Sequence, residues 1–308
     1  MKTLKEHFDD YIDWRRSLNL SPRTLEKSTY CTLIFIDWFS QTHRINTPEQ
    51  ITKDHLIHWQ KHIADRTTKE GRPVRPRTIN THIESVKGFL TWLAGHGHVR
   101  KDSPDIISYV KEPFTLPGSI LTHAQVRKML ARIPTNDLEG YRDRAMLELL
   151  YSTGIRAAEL IGLDMADLDL DNRTMIVTGK GNKQRVVPIG RTAARHLDTY
   201  IRAVRPYLLR DSGRAALFLN TRGTRLHYKT LLNRVHVHAG RIGHDNVSPH
   251  TFRRSCTTEM IRGGANMYHV KELLGHESLD TLKHYTRLTI NDLKKTHAKC
   301  HPRERDEE

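Results

Sequence analysis

Cysteine is scarce in this chain: Cys31, Cys256 and Cys300 are its three, spread over 308 residues. They are too few and too scattered for a disulfide framework or a cysteine-held zinc site. Long apolar runs are missing too. No stretch of about 18 apolar residues occurs, so no membrane span is expected. The opening MKTLKEHFDDYIDWRR turns acidic and aromatic at once and lacks the apolar centre of a signal peptide, which makes the cytoplasm the expected compartment. Neither HExxH nor GxxxxGK[ST] is present, which removes two common metal-hydrolase and nucleotide-cradling patterns. Among 20 histidines, His58 and His62 form the one obvious i,i+4 pair on a predicted helix, a spacing that suits a solvated face as well as a metal. No internal repeat or low-complexity run appears. Acidic residues are the last shortage: 35 Asp and Glu stand against 50 Lys and Arg, for a net charge of +15 and a pI near 9.8. Such a chain is expected to meet a polyanion, most often nucleic acid, although charge alone also fits a merely basic enzyme.

What is present reads as two domains. Thr3 with Glu6 has the form of a capping box, followed by Leu4, Phe8, Tyr11 and Ile12 on one face together with the aliphatic stem of Arg15. Ser21-Pro22 is an N-cap with proline at the first helical position. A third helix is predicted over Lys53–Ile63, and a fourth from Pro76 to a stop at Gly95. The stretch KDSPDIISYVKEPFTLPGS (101–119) has three prolines and no clear period, which reads as a linker. Beyond it, Thr122 and Gln125 repeat the capping-box form, and Tyr141–Ser152 is predicted helical with Gly154 as its stop. The period then changes: Met175–Thr178 and Arg185–Ile189 flank a polar, glycine-containing turn and predict a β-hairpin. Further helices follow, one from Ser248-Pro249 to Gly263. The expected fold is mainly α with a small antiparallel hairpin or sheet.

Four segments carry candidate chemistry. In SPHTFRRS (248–255), His250 sits in the first turn of a helix and Arg253 returns to the same face, an arrangement suited to phosphate but also to an ordinary cationic surface helix. Arg156 lies amid Leu149, Leu150, Ala157, Leu160 and Ile161, so it either snorkels or holds an anion; Glu159 is its available structural partner. Lys180, between Gly179 and Gly181 at the turn of the hairpin, can reach a groove or give a proton to a leaving group, although turn lysines are usually just solvated. In LLGHESLDTLKHY (273–285), His276 precedes Tyr285 by nine residues; the tyrosine is either a core aromatic or a nucleophile.

Together these segments resemble the tyrosine recombinase, or phage integrase, family, and most closely its Xer branch. STGIRAAEL (152–160) resembles the box of the first arginine, GKGNKQRVVPIG (179–190) the Xer hairpin, SPHTFRRS and LLGHESLDTLKHY the second and third boxes. The match covers essentially the whole chain, down to AKCHPR (298–303) near the end. Two departures stand out: HTFRR replaces the commoner HxLRH, and TLKHY the commoner TxxIY or TxxRY. Neither removes a catalytic side chain.

The resemblance implies a SAM-like helical core-binding domain over residues 1–105, a linker at 106–118, and an α+β catalytic domain over 119–308. A C-terminal helix near 289–300 would be exchanged between protomers. It implies Arg156, Lys180, His250, Arg253 and His276 around the nucleophile Tyr285. Arg72, Arg75, Arg77 and Lys87 are candidate phosphate contacts in the first domain. The partner implied is duplex DNA with an inverted-repeat core site, bound by a homo-tetramer or by a hetero-tetramer with a paralogous recombinase. No cofactor and no metal is expected. Two rivals share the resemblance: religation of the original strand, as in a type IB topoisomerase, and a regulator that binds DNA but no longer cleaves it.

Overall fold

The computed structural model describes residues 2–113, 120–211 and 215–275, with the backbone alone at Lys180. The chain divides into two compact units, Met1–Thr115 and Leu116–Glu308.

The first unit is helical: α1 (Leu4–Ser17), α2 (Pro22–His43), α3 (Lys53–Ala64), α4 (Pro76–Gly95) and the short α5 (Ser103–Ile106). Local chemistry starts the helices. Glu6 N donates to Thr3 Oγ1 at 3.2 Å while Thr3 N donates to Glu6 Oε2 at 2.6 Å, which satisfies two orphan amides reciprocally. Their apolar faces meet in one core that includes Phe35, Phe39, Leu56, Trp59, Ile83 and Phe89. Each such side chain contributes about 1.5–3 kcal/mol by leaving water. The irregular stretch after α4 is held down by side-chain amides. Gln60 exchanges two hydrogen bonds with the backbone of Ser108, at 3.1 and 2.9 Å, and Asn80 does the same with Val110, at 2.9 and 2.8 Å. A side-chain amide thus replaces a partner strand, a pairing that carries no periodic signal in sequence.

In the second unit α6 (His123–Ala131), α7 (Leu138–Thr153) and α8 (Ala157–Gly162) lead into a sheet of β1 (Leu168–Asp169), β2 (Thr174–Thr178) and β3 (Gln184–Pro188). Then come α9 (Arg191–Thr199), which continues through a π turn into α10 (Arg205–Leu208), and α11 (Tyr228–Gly240), α12 (Pro249–Arg262) and α13 (Met267–Leu274). The sheet is antiparallel in the order β1-β2-β3, with β2 and β3 in register from Thr174 opposite Pro188 to Thr178 opposite Gln184. The fold class is therefore the expected one, mainly α with a small antiparallel sheet. The two-residue β1 had no readable period.

Helix α7 forms the middle of this unit. Ala145, Met146, Leu147, Leu149 and Leu150 are all buried, as expected of a helix apolar all round. It begins at Leu138, earlier than the predicted Tyr141, because Asp137 Oδ1 caps it by accepting from Gly140 N at 2.6 Å. Gly140 reads as a breaker in sequence, yet a Cβ there would sit 2.0 Å from the Pro134 carbonyl oxygen. Its role is close approach. Among the described residues, no helix is long and apolar enough to cross a membrane.

Candidate active site

The site begins where α7 ends. Gly154 closes the helix in the left-handed region at φ +61°, and a Cβ there would also press on Leu274 Cδ2 at 2.9 Å. Two residues on, Arg156 takes the N-cap position of α8. Its Nη1 donates to Glu159 Oε1 at 2.8 Å, its backbone N donates to Glu159 Oε2 at 2.8 Å, and its Nη2 donates to the Gly275 carbonyl at 3.1 Å. The structural partner read from sequence is therefore present, but it leaves the guanidinium partly open: the side chain is 36% exposed.

Glu159 is buried and serves a second arginine. Arg185 Nη1 and Nη2 donate to its Oε1 and Oε2 at 3.1 and 2.9 Å. Burial pushes the Glu159 carboxyl upward, but the hydrogen bonds from Arg185 and from Arg156 outweigh it and hold the carboxyl below its ordinary range. A buried carboxylate between two guanidiniums is a fixed anchor for both.

Arg253 arrives from α12, whose first turn is fixed by Pro249 and by Ser248 N donating to Thr251 Oγ1 at 3.0 Å. It is buried, with Nη1 donating to the Gly154 carbonyl and Nη2 to the Leu274 carbonyl, both at 2.8 Å. Adding Arg185 Nε, which donates to the Leu273 carbonyl at 3.0 Å, three consecutive carbonyls at the end of α13 each accept from a different arginine. Those carbonyls have no partner within their helix and carry the negative end of its dipole, so they suit cations. The result draws Arg156 and Arg253 together at the helix end that runs directly into His276.

His250, in the first turn of α12, is exposed. Partial burial, then Arg253, Arg156 and Arg254, hold its pKa below the ordinary histidine value of 6.5. It is therefore neutral at pH 7 and able to accept a proton. Lys180 opens the 3₁₀ turn Lys180–Asn182 between β2 and β3, which Gly179 N closes by donating to the Lys183 carbonyl at 2.8 Å. His276, Tyr285, the segment 289–300 and Cys300 lie outside the described residues.

Of the candidate DNA contacts, Arg72, Arg75 and Arg77 are exposed. Arg72 lies in a tight loop in which Thr67 pairs with Pro73 and Val74 N donates to the Arg66 carbonyl at 3.0 Å, Arg75 is the N-cap of α4, and Arg77 is in its first turn. Lys87 differs. Its Nζ donates to the Pro104 carbonyl at 2.6 Å and lies 5.8 Å from the centre of the Tyr109 ring. The pair His58 and His62 packs on Trp38, His58 edge-on and His62 stacked, and His58 Nδ1 also lies 3.2 Å from His43 Nε2. Among the described residues, one grouping has ligand-type atoms close enough for a metal, His7, Glu49 and His98 in the first unit. Arg185 is the site residue that the sequence did not single out. The available signal was its alternation with buried Val187, which places an arginine on the inward face of β3.

Comparison with known proteins shows the family. Residues 119–291 match the model of the phage integrase family. The chain is 32% identical to the tyrosine recombinase XerC of Bifidobacterium longum (strain DJO10A), covering 96% of this chain and 97% of that one. It is 38% identical to the XerC of Corynebacterium glutamicum, over 73% of this chain and 72% of its relative. In fold it resembles the Tn1549 transposon integrase solved in complex with transposon right end DNA, with a TM-score of 0.74, 19% identity and 97% and 99% of the two chains covered. It also resembles the XerH recombinase bound to its difH substrate, with a TM-score of 0.69, 20% identity and coverage of 92% and 81%. The chain belongs to the phage integrase family of tyrosine recombinases, in its Xer-like branch.

Proposed function

We propose that the protein is a site-specific DNA recombinase that cleaves and rejoins duplex DNA through Tyr285. The phenol oxygen attacks the scissile phosphorus, the bond from phosphorus to the 5′ oxygen breaks, and a 3′-phosphotyrosyl link and a free 5′-hydroxyl result. Charge gathers on the non-bridging oxygens as the phosphorus becomes five-coordinate. Arg156 and Arg253 meet it with preorganised donors, and His276 adds another. His250 accepts the phenol proton and Lys180 gives one to the departing 5′ oxygen. A phenol near pKa 10 is a weak nucleophile at pH 7, so the cationic setting both lowers that pKa and stabilises the transition state. The 5′-hydroxyl of another strand reverses the step. The bond energy is kept in the phosphotyrosine, and neither ATP nor a divalent metal enters the scheme.

One observation carries this reading: Arg156 and Arg253 converge on consecutive carbonyls of the helix end that precedes His276, although Arg156 and Gly275 are 119 residues apart. Residues 119–308 would supply the chemistry and 1–105 would grip the DNA, with Arg72, Arg75 and Arg77 on phosphates. Two protomers on an inverted-repeat core site, and two such sites together, make a tetramer, of this chain alone or with a paralogous recombinase. Residues 289–300 would dock on a neighbouring protomer. Covalent capture tests the scheme: protein is mixed with sheared, nicked source DNA, stopped with detergent, and the attached DNA is sequenced beside a Tyr285→Phe control. Adducts absent from the control and clustered at an inverted repeat are expected. Specific DNA binding without adducts would favour the regulator. A recovered site unique in the chromosome would point to Xer-like resolution of chromosomes, and one at the end of an element to integration and excision.

A further inference from the structure

We infer that Arg185 is a positioning residue for DNA cleavage, acting through Arg156. This rests on the recombinase reading. Arg185 projects inward from β3, the strand that leaves the turn bearing Lys180, and its side chain is 16% exposed. Each nitrogen of the guanidinium donates once: Nη1 and Nη2 to the oxygens of Glu159, at 3.1 and 2.9 Å, and Nε to the Leu273 carbonyl at 3.0 Å. It also packs under Gly275, where a Cβ would come within 3.1 Å of Cζ, Nε and Nη1. One planar group therefore joins the hairpin, the carboxylate that orients Arg156, and the backbone immediately before His276. With Arg185 gone, Glu159 keeps one arginine instead of two, and Arg156 can follow its carboxylate out of place. An ammonium cannot copy the fork, because it is a point charge without fixed donor directions.

The alternative is that this ion pair merely stabilises the fold, and the two are separable by substrate chemistry. On a phosphodiester the arginines must meet charge on two non-bridging oxygens. On a methylphosphonate a methyl group replaces one of those oxygens and the linkage is neutral, so a misplaced Arg156 matters less. The test uses the full chain, as Arg185→Ala and Arg185→Lys, on a synthetic duplex of the captured site with either linkage at the scissile position. The expected result is cleavage of the phosphodiester about 100-fold slower in both variants, the size of loss typical of a slightly displaced catalytic group, with KM for the duplex nearly unchanged. On the methylphosphonate the loss should shrink to a few-fold. An equal loss on the two linkages, no loss at all, or full recovery in Arg185→Lys would each overturn the proposal. A second readout needs no DNA. The Arg185 Nε–H, identified by its absence from the NMR spectrum of Arg185→Lys, should exchange slowly because it donates to the Leu273 carbonyl; exchange as fast as a solvated arginine also overturns the proposal. Failure of the parent to cleave the phosphodiester would instead count against the recombinase reading, and leaves the exchange measurement to decide on Arg185.

Discussion

Glu159 orders two arginines from one buried carboxylate, accepting four hydrogen bonds: from the Arg156 backbone, the Arg156 side chain and both terminal nitrogens of Arg185. Glu159→Gln keeps the shape and removes the charge, leaving two guanidiniums facing an amide. Breaking a buried pair costs up to about 3–5 kcal/mol, and because Arg156 is partly exposed the expected loss is about 2 kcal/mol, read from urea unfolding at pH 7. The pH dependence has a definite sign. A carboxyl held below its ordinary value of 4.5 in the folded state stabilises above that value and loses the contribution as pH falls. The gap between parent and Glu159→Gln should therefore narrow between pH 5 and pH 3, and a constant gap would mean that the charge is not what the pair uses. His250 sets a different profile. If it accepts the Tyr285 proton in its neutral form, the cleavage rate falls on acidification only below pH 6.5, since its pKa is depressed by burial and by Arg253, Arg156 and Arg254. His250→Asn should lower the rate and remove that acid limb; an unchanged limb would assign it to another group.

Among the helices and strands, what could be read in advance was local. Ser21-Pro22 and Ser248-Pro249 start α2 and α12 because capping and a fixed proline φ act within one turn. Two β-rich runs around a polar turn likewise revealed β2 and β3. What stayed hidden depends on distant chain: the close approach of Pro134 to Gly140, the amide clamps of Gln60 and Asn80, and the inward turn of Arg185 toward Glu159. Arg156 and Arg253 could be singled out one by one, but sequence could not show that Arg156, Arg185 and Arg253 share the end of α13. Gly154 joins both kinds of information. As a helix stop it was legible; its contact with Leu274 was not. Gly154→Ala meets a left-handed φ and a close neighbour together, so it should destabilise the protein by about 1–3 kcal/mol. In a chain of this size that corresponds to a thermal midpoint lower by several degrees. Cleavage should fall further than stability accounts for, because the shift moves the end of α13, where the three arginines meet; activity retained alongside the lower midpoint would show that the helix end tolerates displacement.

For the molecule as a whole, charge is the decisive property. A net charge of +15 makes counterion release a large part of DNA binding, so affinity should fall steeply and linearly on a log–log plot against salt. The exposed Arg72, Arg75 and Arg77 and the tethered Lys87 separate contact from composition, because each substitution removes one positive charge. If these three arginines sit on phosphates, each change to alanine should lower the salt slope by about 1. Lys87→Ala should leave the slope unchanged, since its ammonium already donates to the Pro104 carbonyl, and should instead loosen α5 against α4 and lower the stability of the first unit. Filter-binding or fluorescence titrations on the captured site at four or five salt concentrations measure the slopes. Equal reductions for all four residues would mean that binding responds to net charge alone. A reduction confined to the three arginines would locate phosphate contacts on the loop and first turn of α4, and a reduction confined to Lys87 would mean that its ammonium leaves Pro104 when DNA binds.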